Sequence, residues 1–222
     1  DGLIAEHAPD LKHLFDIRPV ERKLATYPDG KIYSIPRLND NRFEIYAFAI
    51  NNDHLKALNK TVPAALAKLG EDVRPVVRHQ CGRATMQVAR DAYESSGVTV
   101  DLRPFIDDMA EAYAWADLVV CRAGALTVAE LCAVGLPAVF IPYPAAVDDH
   151  QTKNAGQMAD AGAAVIIDQR NLTVESLADL LRNWLGSRSE LQQRASKARA
   201  LATPDALERI TSFCLREAGV AA

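Results

Sequence analysis

Short apolar runs alternate with amphipathic stretches from about residue 43 to the end of the chain. A continuous apolar run fits a strand buried on both faces, and apolar positions three and four residues apart fit one face of a helix. The predicted strands are 43–49, 73–78, 98–104, 118–121, 138–141 and 164–167. The predicted helices are about 54–69, 84–95, 108–115, 127–134, 149–161, 173–185, 188–201 and 204–218. This alternation predicts an α/β fold, a Rossmann-like parallel sheet with helices on both faces.

Composition and charge narrow the function classes. The chain has 222 residues, of which 49% are hydrophobic, and its formal net charge is −4. A sizeable core is therefore expected, and the charge gives no support for a nucleic-acid partner. The apolar run 131–147 is interrupted by prolines and a glycine, so no transmembrane segment is expected. No signal peptide is visible, and the expected location is cytoplasmic.

Four cysteines are widely spaced along the chain: Cys81, Cys121, Cys132 and Cys214. They form no CxxC pair, and His79 lies near Cys81 without a third ligand, which argues against a structural zinc site. Free thiols in a reducing compartment are the expected state. Walker, GxSxG and HExxH motifs are absent from the sequence, so neither a metal nor a cofactor is predicted.

The turn after strand 118–121 is the first candidate site, and it runs from Arg122 to Thr127. Gly124 allows a sharp turn, after which the N–H groups of Ala125, Leu126 and Thr127 open a helix whose positive end attracts phosphate. A capping box, in which Thr127 caps the helix and Glu130 reaches back, fits the same residues. The two interpretations are compatible, because the Glu130 carboxylate can also accept from both hydroxyls of a ribose.

The second candidate site follows the Pro-rich end of strand 138–141. Asp148 or Asp149 is a natural N-cap for the next helix. His150, Gln151 and Asn154 share one face at the start of that helix. A solvated first turn explains any one of these three residues. Together, three neutral hydrogen-bonding side chains favour sugar hydroxyls as their partners.

The third candidate site follows strand 98–104. Asp107 or Asp108 fits the N-cap of the next helix. Phe105 and Ile106 fit the wall of a pocket for a flat base, with the backbone of Ile106 reading the edge of that base. All three candidate sites follow strands of the predicted parallel sheet, where ligands of such folds bind.

The residues of these turns also carry a family resemblance. From about residue 58 onward the chain resembles the C-terminal half of the MurG family of bacterial N-acetylglucosaminyltransferases, which make lipid II for peptidoglycan. The matching stretches are 58–66, 105–109, 112–117, 121–130 and 148–155. The resemblance implies half of a GT-B fold, inverting hexosyl transfer and a UDP-GlcNAc site without a metal.

The same resemblance assigns roles to individual positions. It implies that Phe105 and Ile106 hold uracil, that Glu130 holds the ribose, and that Ala125 to Thr127 face the diphosphate and the sugar. His150, Gln151 and Asn154 would line the sugar pocket. Arg122 stands in the same motif and is counted among the substrate-binding residues. No catalytic residue is predicted in this chain.

Two departures from the family pattern bear on activity. The glycine-rich loop that contacts the donor phosphates in the family is replaced here by Ile50–Leu55, which lacks glycine and adds an acid. The acceptor-binding domain has no counterpart in this sequence, and the general base of the family is lost with it. The chain alone is therefore predicted to be inactive, with the lipid-linked acceptor and a separate acceptor-binding domain as expected partners.

Residues 1–60 resemble a fragment of an extracellular solute-binding protein of an ABC transporter, in the stretches 7–12, 28–37 and 49–55. This second resemblance predicts a chimera in which residues 1–60 supply the first strand and residues 61–222 form the UDP-sugar-binding domain. Two other functions stay open on this evidence. The first is a structural hybrid without activity, and the second is a sugar-binding fragment of a transporter-associated solute-binding protein.

Overall fold

The computed structural model describes residues 44–48, 55–144 and 149–217. The chain divides into two compact units, residues 1–41 and 42–222, and every described residue belongs to the second. Most of the segment 1–60 lies outside the described residues, and so do Asp148 and the loop Ile50–Leu55 except for Leu55.

Six parallel strands form one sheet in the second unit, in the order β3-β2-β1-β4-β5-β6. The strands are β1 (Glu44–Phe48), β2 (Val76–Gln80), β3 (Asp101–Arg103), β4 (Leu118–Cys121), β5 (Ala138–Phe140) and β6 (Ala164–Ile166). The described helices are α1 (Leu55–Ala67), α2 (Met86–Ser96), α3 (Met109–Trp115), α4 (Ala125–Val134), α5 (His150–Asp160), α6 (Val174–Leu185), α7 (Arg188–Ala200) and α8 (Ala206–Glu217). None of them is long and apolar enough to cross a membrane.

The sheet is buried on both of its faces. Leu118 and Val120 of β4 belong to a hydrophobic cluster with side chains of α1 and α6. Val119 and Cys121 belong to a second cluster, with side chains of α3, α4, α5 and α7. Successive residues of a strand point to opposite faces, so the continuous apolar run in β4 serves two cores at once. The predicted α/β class with helices on both faces is confirmed.

The predicted boundary of β2 is wrong by three residues at its start. Val73 is 45% exposed and lies in a turn. The next residue, Arg74, holds this turn against the end of α1. Its guanidinium donates to the carbonyl oxygens of Leu66, Ala67 and Leu69. The strand instead extends to Gln80 through buried polar residues, which the apolar pattern does not reveal. The predicted strand 98–104 is likewise shortened to β3.

Helices α2, α4 and α5 are each followed by a glycine with a positive φ before the next strand. At Gly135, φ is +74° and the N–H donates to the carbonyl oxygen of Leu131 at 2.9 Å. The N–H of Leu136 donates to the same carbonyl, which completes a Schellman-type helix end. This ending turns the chain directly from α4 into β5.

The order of the strands reverses in the middle of the sheet. From β1 the chain proceeds outward to β2 and β3, and it then returns to place β4 on the other side of β1. The connection from β1 to β2 and the connection from β4 to β5 therefore lead toward opposite edges of the sheet. A crevice at the carboxyl ends of the strands is expected at such a switch point, and ligands of open α/β sheets bind there.

Candidate functional site

The candidate site lies at the carboxyl edge of the sheet, where the turns after β3, β4 and β5 end. Ile106, Ala123 and Ala155 lie in these turns or directly beneath them, and all three belong to one hydrophobic cluster. The three turns predicted from sequence are therefore brought to one region of the fold. Each turn is held by its own set of hydrogen bonds.

Helix α4 begins directly after the turn that follows β4. Gly124 occupies the N-cap position with φ −63° and ψ 145°, and no side chain caps the helix. The N–H groups of Ala125, Leu126 and Thr127 thus have no acceptor within the helix. Leu126 is 80% exposed, so this end of α4 is open to a ligand. Uncapped N–H groups and the helix dipole make it a suitable anion-binding end.

Gly124 is not required by the backbone at this position. Its φ and ψ are accessible to any residue, and an added Cβ would meet only Thr127 Oγ1, at an ordinary 3.6 Å. Neither torsion angles nor internal packing explain the glycine. A glycine here would still allow a ligand to approach the backbone closely, because it carries no side chain.

The capping-box interpretation of Thr127 and Glu130 is wrong. Thr127 lies inside α4, two residues after its start, and Glu130 makes no bond to the start of the helix. The Glu130 Oε2 atom instead accepts from the Tyr113 hydroxyl at 2.9 Å. This bond fixes an exposed carboxylate between α3 and α4, and no described residue donates to its Oε1 atom.

The Arg122 side chain is buried and joins two loops to the end of β4. Its Nη1 donates to the carbonyl oxygens of Ile141 at 2.7 Å and Pro142 at 2.9 Å. Its Nη2 donates to Gln169 Oε1 at 2.6 Å. Burial lowers the pKa of Arg122 from its ordinary value. These contacts use three of the five N–H donors of Arg122. Because they join two loops to the end of β4, Arg122 orders the carboxyl edge whether or not it touches a ligand.

The start of α5 is also built from side-chain bonds. Asp149 stands at the N-cap with a left-handed φ of 53°, but its side chain does not cap the backbone; its Oδ1 accepts from Thr152 Oγ1 at 2.6 Å. Gln151 Oε1 accepts from the N–H of Tyr143 at 2.9 Å. Asn154 Nδ2 donates to the carbonyl of Ala123 at 3.1 Å.

These bonds change the interpretation of the second candidate site. Gln151 and Asn154 are half-buried and tie α5 to the turns after β5 and β4, so a solvated first turn does not describe them. Gln151 uses its amide oxygen in these bonds and Asn154 uses its amide nitrogen, so among the described residues the Nε2 of Gln151 and the Oδ1 of Asn154 remain available. His150 is exposed. Whether the three residues bind a sugar stays a prediction.

The turn after β3 separates its two predicted residues. The Phe105 ring is 62% exposed, whereas the Ile106 side chain is 3% exposed and packs in the core. Of these two side chains, that of Phe105 is accessible to a base, and that of Ile106 is not. The N–H of Ile106 donates to Gln80 Oε1 at 2.9 Å, and Asp108 Oδ1 caps α3 by accepting from the N–H of Glu111 at 2.8 Å.

Sequence reasoning missed the residues that support the site: Gln80, Tyr113, Tyr143 and Gln169. Gln80 could have been identified from the sequence, because a polar side chain at the end of a buried strand needs a hydrogen-bond partner. The others pair with residues distant in sequence, and no local pattern announces them. Among the described residues, no group of three or more His, Cys, Asp or Glu side chains is arranged to hold a metal ion.

Comparison with known proteins assigns this arrangement to a family. Residues 53–210 match the model of the glycosyltransferase family 28 C-terminal domain. The chain belongs to glycosyltransferase family 28. The family 28 match covers α1 to α7 and every turn of the candidate site.

Two curated relatives of this family 28 chain carry the same name, UDP-N-acetylglucosamine–N-acetylmuramyl-(pentapeptide) pyrophosphoryl-undecaprenol N-acetylglucosamine transferase. The protein from Alkalilimnicola ehrlichii is 57% identical over 162 residues, which are 73% of this chain and 45% of that protein. The protein from Marinobacter nauticus is 52% identical over 163 residues, with the same two shares. The chain spans about half the length of the curated relatives it matches.

Solved structures show the same fold. The crystal structure of Acinetobacter baumannii MurG is 38% identical, with a TM-score of 0.73, and covers 85% of this chain and 58% of its own. A Staphylococcus aureus MnaA–UDP structure has a TM-score of 0.62 at 10% identity, a likeness in fold alone. The predicted half of a GT-B fold is confirmed for this family 28 chain.

Proposed function

We propose that this chain is the UDP-GlcNAc-binding half of an N-acetylglucosaminyltransferase that acts on a lipid-linked acceptor in peptidoglycan synthesis. The observation that carries the proposal is the identity of 57% and 52% to relatives whose shared name states this reaction. The geometry of the carboxyl edge agrees with it, because an uncapped helix end, an exposed carboxylate and an exposed aromatic ring meet the needs of a nucleotide sugar.

In this proposal the three turns divide the donor between them. The start of α4 faces the diphosphate, with the N–H groups of Ala125, Leu126 and Thr127 as donors. Glu130 accepts from the ribose hydroxyls, and Phe105 covers the base. The unused polar ends of Gln151 and Asn154, with His150, meet the sugar hydroxyls.

The chemistry assigned to this half is stabilisation of the leaving group. An acceptor hydroxyl attacks the anomeric carbon of the sugar with inversion, the bond from that carbon to the diphosphate oxygen breaks, and UDP leaves with an added negative charge. Fixed N–H donors at the start of α4 stabilise that charge without reorganisation. The proposal needs no metal or cofactor, and it assigns no residue of this chain as the base that accepts the proton of the acceptor.

The expected partner domain is inferred from the part of each relative that lies outside the match. The relatives contain about as much sequence again outside the match, and in the proposal that part binds the acceptor. The isolated chain is then inactive, and the assembled transferase works in the cytoplasm at the inner face of the membrane. Residues 1–60 are proposed to be a segment of separate origin that includes β1.

A titration of the purified chain with UDP-GlcNAc, UDP, CDP and free GlcNAc tests the proposal by calorimetry. We expect UDP and UDP-GlcNAc to bind and free GlcNAc to give no heat. Binding of none of the four would support a structural hybrid without activity. Binding of free GlcNAc without UDP would support a sugar-binding fragment instead.

A further inference from the structure

Gln80 is a buried polar side chain that the proposed function has not used. It ends β2, is 7% exposed, and lies beside Arg103 of β3 in the parallel pairing. The chain turns away at Cys81, whose N–H donates to the carbonyl of Arg103. A polar amide at such a place needs partners, because a buried polar group without a hydrogen bond destabilises the fold.

The bond to Ile106 fixes the orientation of the Gln80 amide. A backbone N–H only donates, so the atom that accepts from it at 2.9 Å is Oε1, and the other end of the amide is the donor Nε2. No described residue accepts from Nε2, and none donates to the carbonyl oxygen of Ile106. One hydrogen bond therefore anchors an unused donor and an unused acceptor next to the exposed ring of Phe105.

We propose that Gln80 is a specificity-determining residue that selects uracil over cytosine in the nucleotide. The inference rests on the proposed function, because it assigns the base pocket of the same site. Uracil presents a carbonyl oxygen, O4, beside the donor N3–H. Gln80 Nε2 and the carbonyl of Ile106 match that pair as donor and acceptor. Cytosine presents an amino donor and an unprotonated N3, so both contacts are mismatched.

The penalty for binding cytosine contributes more to this discrimination than the matched contacts with uracil do. A donor that faces a donor leaves both groups without partners, which costs more than a neutral contact gains. The amide is also held in place before the ligand arrives, because Oε1 is bonded and the side chain is buried. Gln80 thus requires little ordering on binding, and the preference is expected to be large.

Gln80→Glu in the full chain tests the proposal, with UDP and CDP titrated separately by calorimetry. The carboxylate keeps an acceptor for the N–H of Ile106 and removes the donor. We expect UDP affinity to fall at least tenfold and the ratio of UDP to CDP affinity to fall with it. The carboxylate repels O4 of uracil and can accept from the amino group of cytosine, while the carbonyl of Ile106 still favours uracil. The repulsion between the added charge and the diphosphate is the same for UDP and CDP, so it cancels in the ratio. Gln193→Glu makes the same change on an exposed face of α7 and should leave the ratio unchanged.

Gln80→Met supplies a second variant of similar length without charge. It should also reduce the preference for UDP over CDP, with the carbonyl of Ile106 still in place, while the chain stays folded by circular dichroism. A ratio that stays at the wild-type value in both variants would overturn the inference. Tighter UDP binding by Gln80→Met would overturn it too, because Gln80 would then only block the N–H of Ile106. A wild-type chain that binds neither nucleotide would overturn the proposed function and this inference with it.

Discussion

Arg122 connects three acceptors from two loops through a single guanidinium group. Replacement by Met keeps much of the side-chain volume and leaves those acceptors without their donor. We expect Arg122→Met to lower the free energy of unfolding by about 3 kcal/mol, measured by urea denaturation. Arg170→Met is the control, because Arg170 forms an exposed pair with Asp168 and its loss should change the free energy of unfolding far less. Equal losses would show that the buried contacts of Arg122 contribute nothing special.

Glu130 is expected to matter for binding rather than for folding. Glu130→Gln should weaken UDP binding by roughly 1–3 kcal/mol, since the charged acceptor for the ribose hydroxyls is lost. The free energy of unfolding should change by less than about 1 kcal/mol, because a Gln oxygen can still accept from the Tyr113 hydroxyl. Calorimetry and thermal melting measure the two effects, with Glu94→Gln on the exposed face of α2 as the control. An earlier melt with unchanged UDP binding would make Glu130 a structural residue.

His79 makes the fold sensitive to acid. The ring is buried beside the Tyr93 hydroxyl, 3.1 Å from Nδ1, and burial lowers the pKa of His79 from 6.5 to about 4. Above pH 6.5 the imidazole is neutral in both the folded and the unfolded chain, and it has no effect on the pH dependence. As the pH falls from 6.5 to 4, the unfolded chain binds the proton first, so stability falls. The full loss is about 3 kcal/mol.

Unfolding curves in urea at several pH values between 7 and 4 measure this loss. His79→Gln has no imidazole to protonate, so its stability should fall less steeply over this range than that of the wild type. Identical slopes for the two proteins would show that other groups cause the acid sensitivity.

Single residues show where sequence reasoning stops. The spacing of Thr127 and Glu130 fits a capping box, but α4 begins two residues earlier and Glu130 bonds to Tyr113 on another helix. The N-cap role of Asp108 was predictable, because a cap is a contact within four residues of the chain. The contact of Arg122 with Gln169 was not, because it depends on how two loops meet.

Helix ends give a prediction at the scale of the element. At Gly135 an added Cβ would lie 3.2 Å from Arg199 Cβ and 3.3 Å from the Ala195 carbonyl, on a backbone with positive φ. Gly135→Ala should therefore lower the free energy of unfolding by about 1–2 kcal/mol. Gly156→Ala, inside α5 with open space around it, should raise that free energy by roughly 0.5–1 kcal/mol. Urea denaturation compares the two, and the same sign for both would contradict this account.

The strands differ in how well the sequence predicts them. β4 is apolar throughout and buried on both faces, so its limits follow from the pattern of side chains. β2 ends in buried Arg78, His79 and Gln80, whose partners lie on β3, α2, α3 and the turn after β3. A pattern of apolar positions cannot locate such a strand, because its burial depends on polar contacts between elements.

At the scale of the whole molecule, the chain is expected to bind a donor without transferring it. Incubation of the purified chain with UDP-GlcNAc and a lipid-linked acceptor should give no glycosylated product above background. The reason is that the proposed acceptor half is absent from the match to the relatives. Liquid chromatography with mass spectrometry measures the product, and a full-length relative serves as the positive control. Product formed by this chain alone would overturn the view that it is half of a transferase.

The central position of β1 has a consequence for the order of events during synthesis. β1 leaves the ribosome before β2, its partner on one side. On the other side, Ile45 is in register with Leu118, which is made much later. Translation proceeds at about 5–20 residues per second, so one side of β1 stays unpaired for several seconds. Its open N–H and C=O groups can pair with other chains during that time, and the nascent protein is then most prone to aggregate.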